Sequence, residues 1–600
     1  MTHHDLFHRV SVLNARLLLV WGLTFGLGGC MFAPSGAQIE VDGATNQNNA
    51  NQNHNQNTNT NHNENNNNNN DVAPNCGDGQ LQAAESCDDG NTTNGDGCDD
   101  TCTVEGGWSC NGAPSVCFSV CGDGLIVGDE ECDDGNLNPE DGCSNFCQIE
   151  VGWNCAQEPS TCTPVCGDGW VRGEEACDDG NTENADGCSA SCTVEDFHAC
   201  SDEPSVCTCV YYVDLDISAG DGSRWSEALG SVGAAVAALD SATGTGICEI
   251  WVAEGVYHIY ETDVDDTLTL ISGVEIYGGF AGVEAANGGE TSRSERLPRD
   301  YHTVLDGASS AVPSVHVEHV VSANGVVDTV LDGFVIRNGG PQSGDIDGGG
   351  LAAYDSDLTV GRCVFTNHLN ANDGGAIYAE NSNIQLLDSR IRDNVSTDDG
   401  GGVTFRTNSE ALIERCTFVN NTGGDRGGGL CAHGSNVTVR DSLFRGNVSP
   451  RGGAISLRDA TLEFYNCTFF DNTSSSEQGG ALFGDNSTLS GANSIFYANT
   501  PTALSHSGGD PIAVSYSFVP IGTTGTGNIS GDPGFVDTGD LSSPDLHLSA
   551  DSPCIDAANG DLASDRDLAH NPRFDAPSIT NSGAGTPPYV DMGAFEYQAP

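Results

Sequence analysis

GGAIYAENSNIQLLDSRIRDN, residues 374–394, and GGGVTFRTNSEALIERCTFVNN, residues 400–421, are two copies of one repeat. Each opens on Gly-Gly-(Gly/Ala)-aliphatic, which recurs at Gly348–Leu351, Gly374–Ile377, Gly400–Val403, Gly427–Leu430, Gly452–Ile455 and Gly479–Leu482, in steps of 26, 26, 27, 25 and 27 residues. A second feature keeps phase with it: Cys363-Val-Phe365, Ser389-Arg-Ile391, Cys416-Thr-Phe418, Ser442-Leu-Phe444, Cys467-Thr-Phe469 and Ser494-Ile-Phe496. Five residues after the Cys or Ser stands Asn394, Asn421, Asn447, Asn472 or Asn499, with His368 in that place in the Cys363 copy. A period near 26 with short alternating apolar runs means one solenoid coil per repeat. The Cys/Ser and the Phe/Ile two residues on point inward, so like residues stack about 4.8 Å apart. Stacked asparagines can pass amide hydrogen bonds from coil to coil where a lone buried amide would be costly.

The fold class is therefore all-β: a right-handed parallel β-helix over 210–600. The paired Gly-Gly-Ala-Ile and Phe-x-x-Asn motifs resemble those of the polymorphic outer-membrane-protein adhesins, and the region as a whole resembles the pectate-lyase-like superfamily. Gly531–Phe535, Leu546–Leu548, Ser552–Asp556, Asn571–Arg573 and Val590–Glu596 resemble a closing segment of exported β-helix proteins. Strands are expected at Tyr211–Asp214, Ile250–Ala253 and Val274–Tyr277. Val232, Ala235, Val236 and Leu239 share one face of a helix that would cap the first coil.

Upstream the spacing changes. Three cysteine-rich repeats with a period of 45 residues occupy 76–120, 121–165 and 166–209. Their cysteines are Cys76, Cys87, Cys98, Cys102, Cys110, Cys117; Cys121, Cys132, Cys143, Cys147, Cys155, Cys162; and Cys166, Cys177, Cys188, Cys192, Cys200, Cys207. The intervals of 10, 10, 3, 7 and 6 residues are the same in all three copies. Modules this short cannot build a sufficient apolar core, so disulfides would stand in for one, in an oxidising compartment. Six cysteines permit 15 pairings, and spacing does not choose among them. The motif resembles the Myxococcus cysteine-rich repeat. Two readings fit the acidic turns Asp88, Asp89, Asn91, Asp96; Asp133, Asp134, Asn136, Asp141; and Asp178, Asp179, Asn181, Asp186: oxygen ligands for calcium, or Asx side chains bonding their own tight turns.

The first 29 residues read as a lipoprotein signal peptide. Arg9 and Arg16 precede the apolar run Leu17–Phe25, and Leu27-Gly-Gly-Cys30 resembles a bacterial lipobox. Cys30 would then carry the acyl anchor, and Met31 in place of Asp favours the outer membrane; the alternative is a secreted chain. Residues 30–75 read as a disordered linker, since 16 of the 25 residues from Asn46 to Asn70 are asparagine.

The formal charge is −66, and all 20 basic residues are arginines. Such a balance excludes broad attraction to nucleic acid or to an anionic bilayer. The leading expectation is a non-catalytic cell-surface lipoprotein for adhesion, contacting the membrane through its lipid and an extracellular glycan or surface protein through the β-helix. Arg362, Arg390, Arg392, Arg415 and Arg445 are read as facing an acidic glycan, with Phe470 and Tyr497 stacking on sugar rings. The alternatives are a polysaccharide lyase or glycoside hydrolase, for which Asp388 with Arg390 is the best pair on that face, and a purely structural surface-layer component.

If Cys30 carries the anchor, Cys30→Ser abolishes membrane retention. Fractionation after radioactive fatty-acid labelling should find wild type labelled and sedimenting with membranes, and the variant unlabelled and soluble.

Overall fold

The computed structural model describes residues 75–217, 219–241, 248–282, 289–300, 302–341, 346–369, 371–539, 543–587 and 589–598. The signal peptide, Cys30 and nearly all of the Asn-rich linker lie outside them. Among the described residues no helix is long and apolar enough to cross a membrane.

From Val206 onward the chain winds into three parallel sheets, with one strand per coil in each. The coil over 377–392 shows the unit. Ile377–Glu380 lies in sheet A, Asn383–Leu387 in sheet B and Arg390–Arg392 in sheet C. Two-residue corners separate them, and a longer turn returns from C to A. Sheets A and C have nine strands each. Pairing is in register, Ile377 on Val403, Ile384 on Ala411 and Ile391 on Phe418. Inward columns follow the expectation: Cys363, Ser389, Cys416, Ser442, Cys467 and Ser494 are buried, as are the apolar residues two positions on. Phe418, Phe444, Phe469 and Phe496 stack with centroids 4.4, 5.2 and 4.7 Å apart.

The asparagine ladder is continuous. Asn421 Oδ1 accepts from the backbone N and Nδ2 of Asn394 at 3.2 and 3.0 Å. Its own Nδ2 donates to the Ile391 carbonyl at 2.9 Å and to Asn447 Oδ1 at 3.0 Å. His368 ends the ladder with the same pair of functions: Nδ1 accepts from the Gly339 N–H at 3.1 Å and Nε2 donates to the Ile336 carbonyl at 3.0 Å. Burial pushes its pKa down to about 4, so the ring is neutral, as both bonds require.

The Cys/Ser column is also hydrogen-bonded. Each serine hydroxyl accepts the backbone N–H of the cysteine one coil earlier: Ser389 from Cys363 at 3.1 Å, Ser442 from Cys416 at 3.0 Å and Ser494 from Cys467 at 3.1 Å. Cys363, Cys416 and Cys467 are buried free thiols, as are Cys431 and Cys554. The flanking positions differ from expectation. Arg362, Asp388 and Arg415, expected on the outward glycan face, have φ of +49°, +52° and +51°, so they are left-handed corner residues, as are their equivalents Asp441, Asn466 and Asn493.

Each cysteine-rich module closes its first cysteine on its fourth, second on third and fifth on sixth, as in Cys76–Cys102, Cys87–Cys98 and Cys110–Cys117. The second and third modules repeat this with Cys121–Cys147, Cys132–Cys143, Cys155–Cys162, Cys166–Cys192, Cys177–Cys188 and Cys200–Cys207. The third module joins the solenoid without a linker. Strand Val206–Val213 pairs antiparallel with His198–Ser201 inside the module and parallel with Glu249–Ala253 in sheet B. It crosses the expected boundary at 209/210. A tenth disulfide, Cys209–Cys248, ties the same junction. Helix Val232–Ser241 begins with Ser231 Oγ accepting the Ala234 N–H at 3.2 Å. It packs Val232, Ala235 and Val236 into the main core, so it caps the first coil.

Replacing Asn447 by Ala leaves the Asn421 N–H and one Nδ2 hydrogen of Asn421 without their acceptor inside the solenoid. Each orphaned group costs about 1–3 kcal/mol, so Asn447→Ala should lose about 3 kcal/mol or more in urea unfolding. Exposed Asn436→Ala should stay within about 0.5 kcal/mol of wild type.

Candidate functional site

The carboxylates read as calcium ligands face their own turns. Asp88 accepts backbone N–H groups of Asp78, Gly79 and Gly90 at 3.2, 2.9 and 2.9 Å. Asp133 and Asp178 repeat this with Asp123, Gly124 and Gly135 and with Asp168, Gly169 and Gly180. Asp89, Asp134 and Asp179 cap the N–H two residues on, at Asn91, Asn136 and Asn181. Those asparagines donate from Nδ2 to Asp96, Asp141 and Asp186. What these contacts build is a hydrogen-bonded turn.

The residues read as a glycan-binding face are not brought together into one open site. Arg362 is paired with Asp332 at 2.9 Å, Arg392 with Asp393 at 2.8 Å, and Arg415 with Asp388 at 2.7 Å and with Glu414. Asp388 also meets His570 at 3.1 Å, so it pairs with Arg415 and His570 rather than with Arg390. Arg390 is exposed, and Arg445 is half-buried. The far half of sheet C lies under the closing segment. Arg573 bonds Asp441 at 2.7 Å and Glu596 at 2.9 Å. The Ala594 N–H bonds Thr468 Oγ1 at 2.9 Å, and the Gly593 N–H bonds the Asn493 carbonyl at 2.7 Å. Phe470 is only 1% exposed, packed with Leu443 and Leu546 and edge-on to Phe535, so it is a core ring and not a stacking platform. Tyr497 is half-buried in the same group.

Sheet A carries a different arrangement, which the sequence reading missed. Its strands point two columns outward from the solenoid. The second strand positions are Tyr378, Thr404, Cys431, Ser456 and Phe483, and the fourth are Glu380, Arg406, His433, Arg458 and Asp485. The fourth column is half-exposed, but the second is buried although it points out of the solenoid. The turns returning from sheet C cover it. These turns stack upon each other as a wall, through the parallel bridges Val395–Thr422–Val448 and Asp399–Arg426–Arg451. The last wall residue before each Gly-Gly pair lies over the sheet: Asp373, Asp399 and Arg426 are 2, 4 and 5% exposed.

These buried charges are partly paired. Arg406 reaches both Asp373 and Asp399, the latter at 3.4 Å. Arg426 reaches Asp485 at 3.2 Å and lies over the Phe483 ring. Burial, opposed by Arg406 and reinforced by Asp399, pushes the Asp373 carboxyl up to about 6. Asp399 Oδ1, Arg406 Nε, Arg426 Nε and Nη1, Ser456 Oγ and Gln478 Oε1 are buried without a hydrogen-bond partner. A signal for the strip was present in the sequence: the residues just before Gly-Gly run Asp347, Asp373, Asp399, Arg426, Arg451, Gln478, a column charged at five of its six positions and in phase with the repeat.

Two family models match the chain. One, described as a domain of unknown function, DUF4215, matches residues 104–148 and 150–193. The other, described as a right handed beta helix region, matches 320–500 and gives the solenoid its hand. No curated protein matches in sequence. Among solved structures, pectate lyase Pel9A aligns over 65% of this chain and 96% of its own, at 14% identity and TM-score 0.38. The pectin methylesterase from Aspergillus niger in deglycosylated form aligns over 57% and 90%, at 14% identity and TM-score 0.20. The Pseudomonas phage phi297 tailspike gp61 aligns over 48% and 49%, at 14% identity and TM-score 0.23. Likenesses this remote carry no argument about activity.

Removing the Phe470 ring should open the closing segment. Phe470→Ala is expected to cost about 3–5 kcal/mol locally. Limited proteolysis of the variant should cut within 543–598 while the coils over 320–500 stay resistant.

Proposed function

We propose that the chain is an exported surface protein whose β-helix contacts an anionic extracellular glycan along the outer face of sheet A. The observation that carries this reading is the in-register row Arg406, His433, Arg458 at the half-exposed fourth strand position of three successive coils. In a chain with 20 basic residues against 86 acidic ones, such a row is a local exception. Its spacing of about 4.8 Å per coil lets the two guanidinium groups and the imidazole between them meet neighbouring carboxylates or sulfates of one polymer chain. Arg458 is half-exposed and has no ion-pair partner among the described residues. Tyr354, half-exposed at the fourth strand position of an earlier coil, lies further along the same face and offers apolar surface to a sugar ring. Lipid anchoring at Cys30 and placement at the outer membrane belong to the same proposal, with the disulfide modules as a stalk.

Hydrolysis of such a glycan is a second reading, favoured by Asp373 and Asp399, whose carboxylates lie within 4.8 Å of each other. Both are almost fully buried, and Arg406 lies against them, which is why contact is preferred over catalysis.

Affinity electrophoresis of the full chain through gels containing polygalacturonate or a neutral glucan tests the binding. Retardation is expected in polygalacturonate alone and should fade with salt. Arg458→Gln should weaken it about five- to tenfold while Arg390→Gln leaves it unchanged. Equal mobility of wild type in both gels, or binding indifferent to Arg458, would overturn the proposal. Release of reducing ends that stops in Asp399→Asn would favour hydrolysis.

A further inference from the structure

Three ligand-type side chains of different chemistry converge once beside that row. Cys431 and His433 are two residues apart on one strand, so both point out of sheet A. Asp399 comes from the wall one coil earlier and lies over them. Cys431 Sγ is 3.2 Å from His433 Nε2, and the same nitrogen is 2.8 Å from Asp399 Oδ2. All three donor atoms lie within 4.8 Å of one another. Cys431 is fully buried, and Asp399 is 4% exposed with Oδ1 unpartnered.

Protons alone serve this arrangement poorly. With a proton on Nε2 the imidazole donates to the carboxylate, and the thiol then faces a nitrogen that has no lone pair to accept its S–H. With the lone pair on Nε2 the thiol is served, but that lone pair then faces Asp399 Oδ2 at 2.8 Å, which keeps only the longer contact from Arg406 at 3.4 Å. A nucleophilic role for Cys431 fails on the same geometry. A base that activates a thiol must turn one ring nitrogen to it and the other to the orienting carboxylate, whereas here both partners meet Nε2. The thiol is also closed to solvent. Packing alone does not account for the set either. At the same two positions the adjacent coils carry Thr404 with Arg406 and Ser456 with Arg458, which fill the space with no thiol or imidazole.

We propose that Asp399, Cys431 and His433 are three ligands of a site for a divalent transition-metal ion of the zinc class. Thiolate sulfur, imidazole nitrogen and carboxylate oxygen together are a zinc-type donor set, with bonds of about 2.0–2.3 Å. Calcium and magnesium take oxygen ligands, so the sulfur and nitrogen select against them. Binding releases the Cys431 proton to solvent, and the cation then neutralises the thiolate in a site where burial and the Asp373 and Asp399 carboxylates otherwise hold the thiol protonated. A fourth position would open toward the half-exposed edge of His433, beside Arg406. The proposal does not depend on the glycan reading.

The test uses the full chain, stripped with chelator and titrated with Co²⁺ and then Zn²⁺ in excess calcium to saturate surface carboxylates. Twenty cysteines are in disulfides, and the other free thiols of the solenoid are buried in inward columns or the closing segment, which keeps the sulfur signal specific. One equivalent of Co²⁺ should give a near-ultraviolet sulfur-to-cobalt band that zinc displaces. Cys431→Ser should abolish the band and weaken zinc binding by about tenfold or more, and His433→Gln should weaken it comparably. Both variants should keep the wild-type circular dichroism, because Ser456 already occupies the Cys431 position in the next coil. Cys416→Ser should leave the band unchanged. No band in wild type, a band that survives Cys431→Ser, or a stoichiometric zinc affinity indifferent to both variants would overturn the proposal.

Discussion

Register between coils is the constraint on which the rest of this molecule depends. Parallel in-register stacking places each residue over its equivalent about 4.8 Å away, so a buried column is tolerated only if every member works on top of the last. The ladder from His368 through Asn394, Asn421, Asn447 and Asn472 to Asn499 shows what this permits. Each amide from Asn394 to Asn472 is satisfied by the coil before and the coil after, and a single one would be an orphan. The alternating Cys and Ser column obeys the same rule. A serine hydroxyl takes the N–H of the coil before it, and the cysteines fall two coils apart, beyond the reach of a disulfide. Free thiols in a chain otherwise rich in disulfides follow from the geometry of the coil.

A stack of this kind has two open ends, and the chain closes them by unlike means. At the start, the disulfide-built modules supply no apolar layer of their own, so the joint is made by a strand that belongs to both sides. Val206–Val213 is at once the second strand of a disulfide hairpin and the first parallel strand of sheet B, with Cys209–Cys248 alongside. Bending there would break strand pairing, so the third module and the solenoid form one continuous sheet. At the other end the cover is ionic as well as apolar. Arg573, almost buried, joins Asp441 of the solenoid to Glu596 of the closing segment. Burial pushes the Asp441 carboxyl up to about 6 even with that arginine beside it, so the guanidinium offsets only part of the desolvation.

What repeated in the sequence was legible, and what did not repeat was not. The inward columns and the asparagine ladder follow from period and residue type, and the capping helix from the spacing of its own apolar face. Two kinds of feature escaped. The burial of Phe470 is imposed by residues 543–598, which share no period with the coils, so nothing near Phe470 announces its cover. The two-residue corners were read as strand, which turned Arg362, Asp388 and Arg415 outward on paper; a positive φ at Asp or Asn is common, but at Arg362 and Arg415 the residue type gives no sign of it. Cys209 and Cys248 fall outside the 45-residue period, so their pairing had no pattern to betray it. The wall column was in phase and visible, but charged residues before a glycine pair read as solvated turn. Only the structure shows them folded back over sheet A.

That folding back is fixed by the glycines. Gly400 and Gly427 both have φ of +59°, and a Cβ at either would meet the carbonyl oxygen three residues on, at 2.4 and 2.1 Å. The backbone therefore makes a tight left-handed entry into sheet A, which brings Asp399 and Arg426 onto the sheet's outer face. Inward columns are held to a narrow choice by the coil above and the coil below, whereas the fourth column runs Glu380, Arg406, His433, Arg458, Asp485 with no common chemistry. None of those five side chains enters the asparagine or Cys/Ser ladder. The scaffold thus separates the residues that hold the coils together from those that meet the surroundings, and the glycine pair is where the two meet: it preserves the register below it and sets how closely the wall approaches above.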